Sequence, residues 1–285
     1  MFKIKKLSKK ITYLIVCAAV VIVLAVTAFG LQIAFWAAHS LECWHPDYAM
    51  IDLDDLLNKS ELSAKDYEIL YRQTGLSNVG IDRALAHGEN GKAKIKKIQR
   101  DFFEPHTAKS GQVAPYTCTD YIEKFITNIY LEEGDIVITS STHISGVRIG
   151  HAGLVVNAFT ESVLEANAYG INSKIGNMSS YTNRINFMIL RPNPELITAS
   201  TVKNVVDFAA KNLTGIPYEG FAGVLTDKNE IKKTQCAHII WYAFKQYGID
   251  LDSNGGQMVM PKDLANSAYL QPVQTFGFDL DKLWK

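Results

Sequence analysis

The sequence predicts an α+β protein, an antiparallel sheet with packed helices, preceded by a transmembrane helix and a helical region. Three observations predict it. An uncharged run, ITYLIVCAAVVIVLAVTAFGLQIAFWAA, fills residues 11–38, and helical spacing of apolar residues marks several segments between 41 and 130. From Glu132 onward, short β-rich segments are followed by two amphipathic helices. With 47% hydrophobic and 20% charged residues over 285 positions, the chain holds enough apolar material for a large core, which excludes a disordered or fibrous protein.

Residues 1–10 form a basic tail with Lys3, Lys5, Lys6, Lys9 and Lys10. The run at 11–38 exceeds the ~20 apolar residues that carry a helix across a bilayer. A cleaved signal peptide is the rival reading, but its apolar stretch usually spans only ~7–15 residues. Lysines before the span and acidic residues after it place the N-terminus inside, so the remainder is expected to be extracytoplasmic. Formal charge is zero, yet beyond the tail acidic side chains outnumber basic ones, which argues against nucleic acid as a partner.

Residues 39–131 read as a helical spacer or cap. In LSAKDYEILYRQTG, Ser63 suits an N-cap with Asp66 three residues on; Leu62, Ile69 and Leu70 share a face, and Gly75 ends the helix. Further helices are expected at 81–87, 93–103 and 119–130. The second domain is expected to run over 132–285. Its strands are GDIVIT (134–139), GHAGLVV (150–156), SVLEANA (162–168) and INFMILR (185–191), set apart by Gly, Asn and Ser clusters. A helix at 201–212 carries Val202, Val205, Val206 and Ala209 at helical spacing. TQCAHIIWYAFKQYG (234–248) places Ala237, Ile240, Trp241, Phe244 and Tyr247 on one face and closes on Gly248.

Chemistry concentrates in this second region. Thr234 suits the N-cap of the last helix and so puts Cys236 in the first turn, where unpaired N–H groups and the helix dipole favour a nucleophilic thiolate. A buried, space-filling cysteine is the plainer alternative. His238, two positions on, points off a different side of the helix. His151 starts a strand, and folding symmetrically about residue 158 brings Glu165 opposite it, which supplies a base and the group that orients it. Cys17 lies in the span; Cys43 and Cys118 could pair outside the membrane, leaving Cys236 as the odd thiol. DLDSNGGQMVMP opens like a calcium loop but has Pro261 where the closing glutamate belongs, and reads as a turn. His106, Cys118, Asp120 and His143 lack metal-ligand spacing, so no metal and no cofactor are expected.

In order along the chain, GDIVIT, GHAGLVV, VLEANAYG, FMILRP, GIPYEG, QCAHIIWYAFKQYGIDLD and GGQMVMPKDL resemble the circularly permuted, NlpC-like papain-fold cysteine hydrolases of the YiiX-like group. The resemblance covers about half of the chain, and the order His151, Glu165, Cys236 is its most specific element, because ordinary papain-like enzymes place the cysteine helix first. It implies Cys236 as nucleophile, His151 as general base and then acid, and Glu165 as the group that holds the imidazole. Tyr218, in GIPY, matches a tyrosine that lines the site and helps stabilise the oxyanion; a core aromatic beside a turn is its plainer reading. One departure is Ala237, where a serine often follows the cysteine, and it bears on substrate preference. The implied function is a membrane-anchored extracytoplasmic cysteine hydrolase that cleaves an amide bond, with peptidoglycan peptides as substrate. Two alternatives stay open: a lipid acyltransferase or thioesterase-like enzyme on the same fold, and a noncatalytic wall-binding module.

Overall fold

The computed structural model describes residues 9–38, 43–115, 117–144 and 147–284, and the side chains of all of these but 32–38. The basic tail before Lys9 and the start of the expected spacer at 39–42 lie outside the described residues. Two compact units are present, residues 1–40 and Leu41–Lys285.

The first unit holds α1 (Lys9–Ala38), a 30-residue helix. At 1.5 Å rise per residue it is about 45 Å long, beyond the ~30 Å hydrocarbon core of a bilayer. Its segment Lys9–Leu31 has a mean hydropathy of 2.9, so α1 is long and apolar enough to cross a membrane. Thr27, one of its polar residues, donates its hydroxyl proton to the Val23 carbonyl at 2.8 Å.

The second unit begins with four helices, α2 (Asp54–Leu57), α3 (Ala64–Thr74), α4 (Asn78–Leu85) and α5 (Gly88–Phe103). Helix α3 starts and stops where its sequence says: Ser63 and Asp66 form a capping box, and Gly75 takes the left-handed conformation (φ 68°) that ends it. A Cβ at Gly75 would also lie 2.1 Å from the Thr275 carbonyl oxygen.

Among the described residues, ten strands follow in two antiparallel sheets. β1 (Ala108–Ala114), β2 (Thr117–Ile122), β4 (Thr142–Ile144) and β5 (Val147–Arg148) form the smaller, in the order β1-β2-β4-β5. The larger contains β3 (Ile136–Thr139), β6 (His151–Asn157), β7 (Ser162–Glu165), β8 (Lys174–Asn177), β9 (Phe187–Pro192) and β10 (Leu270–Phe276), in the order β10-β9-β3-β6-β7-β8. The short α6 (Ser179–Thr182) precedes β9, and α7 (Ala199–Asn212), α8 (Cys236–Lys245) and α9 (Pro261–Ala265) come between β9 and β10.

Both faces of the larger sheet are covered, which is why its strands read as continuous apolar runs rather than alternating ones. Ile136, Ile138, Leu154, Leu164 and Leu190 pack with Val205, Ile240, Trp241 and Phe244 from α7 and α8. The residues between them, Val137, Val155, Val163 and Ile189, pack on the other face with Leu70, Ile81, Ile95 and Ile98 from α3 to α5. Residues on both sides of position 131 thus share one core, and the boundary expected there runs through it.

The expected helix at 119–130 is absent. Thr117, Thr119, Tyr121 and Ile122 are β-branched or aromatic and pair as β2 with both β1 and β4. Asp120 on that strand is buried and bonded to His143 (3.2 Å) and Arg148 (2.5 Å), a tertiary cluster that local periodicity does not reveal. Cys43 and Cys118 are both free thiols, so the disulfide considered for them does not form here.

Candidate active site

The chain leaves β3 after Thr139, runs through the β4–β5 hairpin of the smaller sheet, and re-enters the larger sheet at His151, opposite Thr139. Gly150 makes this re-entry. It has φ 71°, and a Cβ there would sit 2.7 Å from the Thr139 carbonyl oxygen and 2.2 Å from the Trp284 ring, so a side chain is excluded on two counts. His151 is therefore fixed where the two sheets meet, 6% exposed.

Glu165 reaches it from β7, though not by the symmetric pairing expected. The register runs Leu154↔Leu164 and Val155↔Val163, with a bulge before Asn157↔Ser162. Continued by one residue, it sets Glu165 against Gly153, a diagonal neighbour of His151 on the same face. The hairpin closes at Asn157↔Ser162, which alone would set Glu165 opposite Leu154; the extra residue that the bulge places on β6 shifts that partner by one, to Gly153, and so returns Glu165 to the face of His151. Glu165 Oε2 still lies 3.4 Å from His151 Nε2, while its Oε1 accepts from Asn167 Nδ2 at 2.9 Å. Tyr181 stacks on the imidazole, ring centroids 5.4 Å apart and planes 7° from parallel, and donates its hydroxyl to Glu165 Oε2 at 3.3 Å. Gly153 makes room for this, since a Cβ there would lie 2.5 Å from the Tyr181 oxygen.

Cys236 is the first residue of α8 and is buried, but its cap differs from expectation. Gln235 is the N-cap: its Oε1 accepts from the Ala237 backbone N–H at 2.8 Å and from the Cys236 thiol at 3.3 Å. Its amide nitrogen donates to the Val259 carbonyl. Thr234 instead bonds His238 Nδ1 at 2.9 Å, and His238 Nε2 meets the Lys228 carbonyl at 2.8 Å. His238 is thus a structural residue of the helix, held away from the thiol as its spacing predicts. Tyr218 bridges in parallel to Thr234 and meets Tyr169 edge-on at 5.2 Å, which puts its ring beside Cys236.

The electrostatics follow from this geometry. Burial opposes a charged imidazole, but hydrogen bonds and charge from Cys236 and Glu165 outweigh it and raise His151 to about 9. Burial likewise opposes the Glu165 carboxylate, yet His151, Asn167 and Lys174 together hold it below its usual range. Burial, then Cys236, pushes the Tyr218 phenol up, which keeps it a neutral O–H donor. Burial, then Glu165, does the same for Tyr181.

The structure therefore brings His151, Glu165, Cys236 and Tyr218 together. The sequence did not signal Tyr181, Asn167 or Gln235; only Gln235, next to the cysteine, sits where a cap search could find it. Among the described residues no group of three or more His, Cys, Asp or Glu side chains could hold a metal. In the turn that opens like a calcium loop, Asp250 bonds Trp241 Nε1 and Lys245, and Asp252 bonds Lys228. No protein-family model matches the chain, and no match is found among curated proteins or solved structures.

Proposed function

We propose that the chain is a single-span membrane protein whose second unit is an extracytoplasmic cysteine hydrolase of the permuted, NlpC-like papain type, cleaving an amide bond in peptidoglycan peptides. The observation that carries this reading is a buried histidine, hydrogen-bonded to an ionised glutamate, whose charged form is favoured by that glutamate and by a cysteine at a helix N-terminus. Glu165 occupies Nε2 and leaves Nδ1 for the sulfur, and the imidazolium favours the thiolate beside it. The sulfur attacks the scissile carbonyl carbon and forms a C–S bond. Tyr218 O–H and the Cys236 backbone N–H then meet the developing oxyanion. His151 gives its proton to the departing nitrogen as the C–N bond breaks, then takes one from the water that hydrolyses the thioester, releasing a carboxylic acid and restoring the thiolate beside the imidazolium. Glu165 and Tyr181 hold the ring in place through both transfers.

The basic limb of the pH profile follows from His151. Its folded value lies above the ordinary 6.5, so its favourable interactions are fully present below 6.5 and disappear as pH rises through about 9. Accordingly kcat/KM is expected to fall with a midpoint near pH 9, together with stability from the same source. A rate that is flat to pH 10 or beyond would show that the charged imidazole takes no part.

A second reading is favoured by one feature near the site. Phe221, Val224 and Leu225 are 55%, 58% and 68% exposed. Their loop is tied to Tyr169, and so to Tyr218, through the bond from Gly220 N–H to the Tyr169 hydroxyl (3.1 Å). An apolar rim of this kind suits an acyl chain, as in a lipid acyltransferase. The test is to incubate the full chain in neutral detergent with purified peptidoglycan and separately with phospholipid, and to analyse products by mass spectrometry with Cys236→Ala as control. New free amines from wall peptides, lost in the variant, support the amidase; acyl exchange on lipid, lost in the variant, supports the acyltransferase.

A further inference from the structure

Beside His151 lies a cavity of about 230 Å³, lined among others by Thr117 and Thr142 of the smaller sheet and by Asn167, Lys174 and Arg184. Two of its polar atoms are buried without a hydrogen-bond partner, Arg184 Nη1 and Asn167 Oδ1. Such groups cost free energy when left unpaired, so both are ready to bond a polar ligand that enters the cavity. Their neighbours are already committed. Arg184 Nε donates to the Ser180 carbonyl at 2.6 Å, and Asn167 Nδ2 is held by Glu165. The nearby Asp120 carboxylate forms ion pairs with Arg148 and His143, and its charge, with that of Glu165, also acts on Arg184. Lys174 is exposed and stands opposite Glu165 in the register of β7 and β8.

Resting on the hydrolase reading, we propose that this cavity is a subsite for a free carboxylate on the residue flanking the scissile bond. Arg184 offers a planar N–H edge and Lys174 a second positive charge, the pair that binds a carboxylate. Thr117, whose hydroxyl donates to the Pro115 carbonyl at 3.4 Å, and Thr142, whose hydroxyl meets Thr119 Oγ1 at 3.5 Å, line the wall beside them. Asn167 Oδ1 is an acceptor and calls for a donor on the same ligand, which an amide N–H next to the carboxylate supplies. A phosphate group brings no such N–H and would be repelled by that oxygen.

The test compares alkylation of Cys236 by iodoacetate and by iodoacetamide, read peptide by peptide by mass spectrometry on the full chain in neutral detergent. The two reagents share one chemistry and differ in the carboxylate, so their rate ratio isolates the subsite. Arg184→Gln is expected to lower that ratio roughly tenfold, and Lys174→Gln to lower it in the same direction by less. N-acetylglutamate should protect Cys236 at lower concentration than inorganic phosphate. Lys174→Gln lies at an exposed position and carries the test should Arg184→Gln fail to fold. Labelling by both reagents, with a ratio that neither substitution moves, overturns the subsite while the nucleophile stands. Stronger protection by phosphate overturns the carboxylate assignment. Absence of any labelling at Cys236 removes the hydrolase reading, and the subsite with it.

Discussion

Cys236→Ala is expected to reduce turnover by roughly three orders of magnitude or more while leaving the fold in place. The loss is large because sulfur forms the covalent bond in the proposed reaction, and no neighbouring side chain replaces it: Tyr218 is kept neutral by burial and His238 is bound to Thr234 and the Lys228 carbonyl. The structural cost is small. Alanine keeps the Cβ, and the substitution gives up one thiol hydrogen bond to Gln235 Oε1, while the capping bond from Gln235 to the Ala237 N–H is untouched. Such a net hydrogen bond contributes about 1 kcal/mol, a shift of a few degrees in Tm for a domain of this size. Turnover by product mass spectrometry and unfolding by circular dichroism therefore separate the two roles of the cysteine. Residual activity within tenfold of the parent would remove Cys236 from the mechanism. An inactive variant whose Tm has collapsed would mark it as a packing residue.

How far the sequence anticipates this arrangement depends on the range of the interactions involved. His151, Glu165 and Cys236 are legible because each stands at the edge of an element that local patterning defines: a strand after a glycine, its hairpin return, and the start of an apolar helix. The pairing between them is less so, since the hairpin turns beyond residue 158 and the bulge before Asn157 then shifts the register by one residue, which together leave Glu165 diagonal to His151, and a single inserted residue leaves no periodic trace. Tyr181 and Arg184 come from α6 and the turn after it, a segment of four helical residues whose importance arises when it packs under the imidazole. The smaller sheet is hidden for a different reason. β1 carries AKSGQVA with no buried residue, so it has no hydrophobic face to display, and β2 spends its polar residues on a cluster assembled from three strands. Helices α3 to α5 are visible from caps and spacing, but a helix's own sequence does not say which sheet its apolar face will cover.

Arg191→Met is expected to destabilise the second unit by about 3–5 kcal/mol, a fall in Tm on the order of 10 °C. Arg191 on β9 closes a two-pronged bond on Asp135, Nε to Oδ1 and Nη2 to Oδ2 at 2.8 Å each. Asp135 is fully buried at the start of β3, where its Oδ2 also accepts from the Glu132 N–H at 2.7 Å and its carbonyl from the Val155 N–H at 2.8 Å. The pair thus ties together the three strands from which His151 is presented. Its two members are unequal: pairing raises Arg191 despite burial, whereas for Asp135 burial outweighs the pairing and moves the carboxyl up. Removing the guanidinium therefore strands a carboxylate that burial already disfavours. A group raised on folding contributes most below its unfolded value and least above its folded one, so the deficit in Arg191→Met should shrink as pH falls and Asp135 takes a proton. Combining Arg191→Met with Asp135→Asn should restore much of the loss at neutral pH, because the buried charge is gone while the acceptor for the Glu132 N–H remains. Thermal unfolding of the three variants across acidic to neutral pH decides the matter. A deficit below about 1 kcal/mol in Arg191→Met, unchanged by acid, would place the three strands under the control of their apolar packing alone.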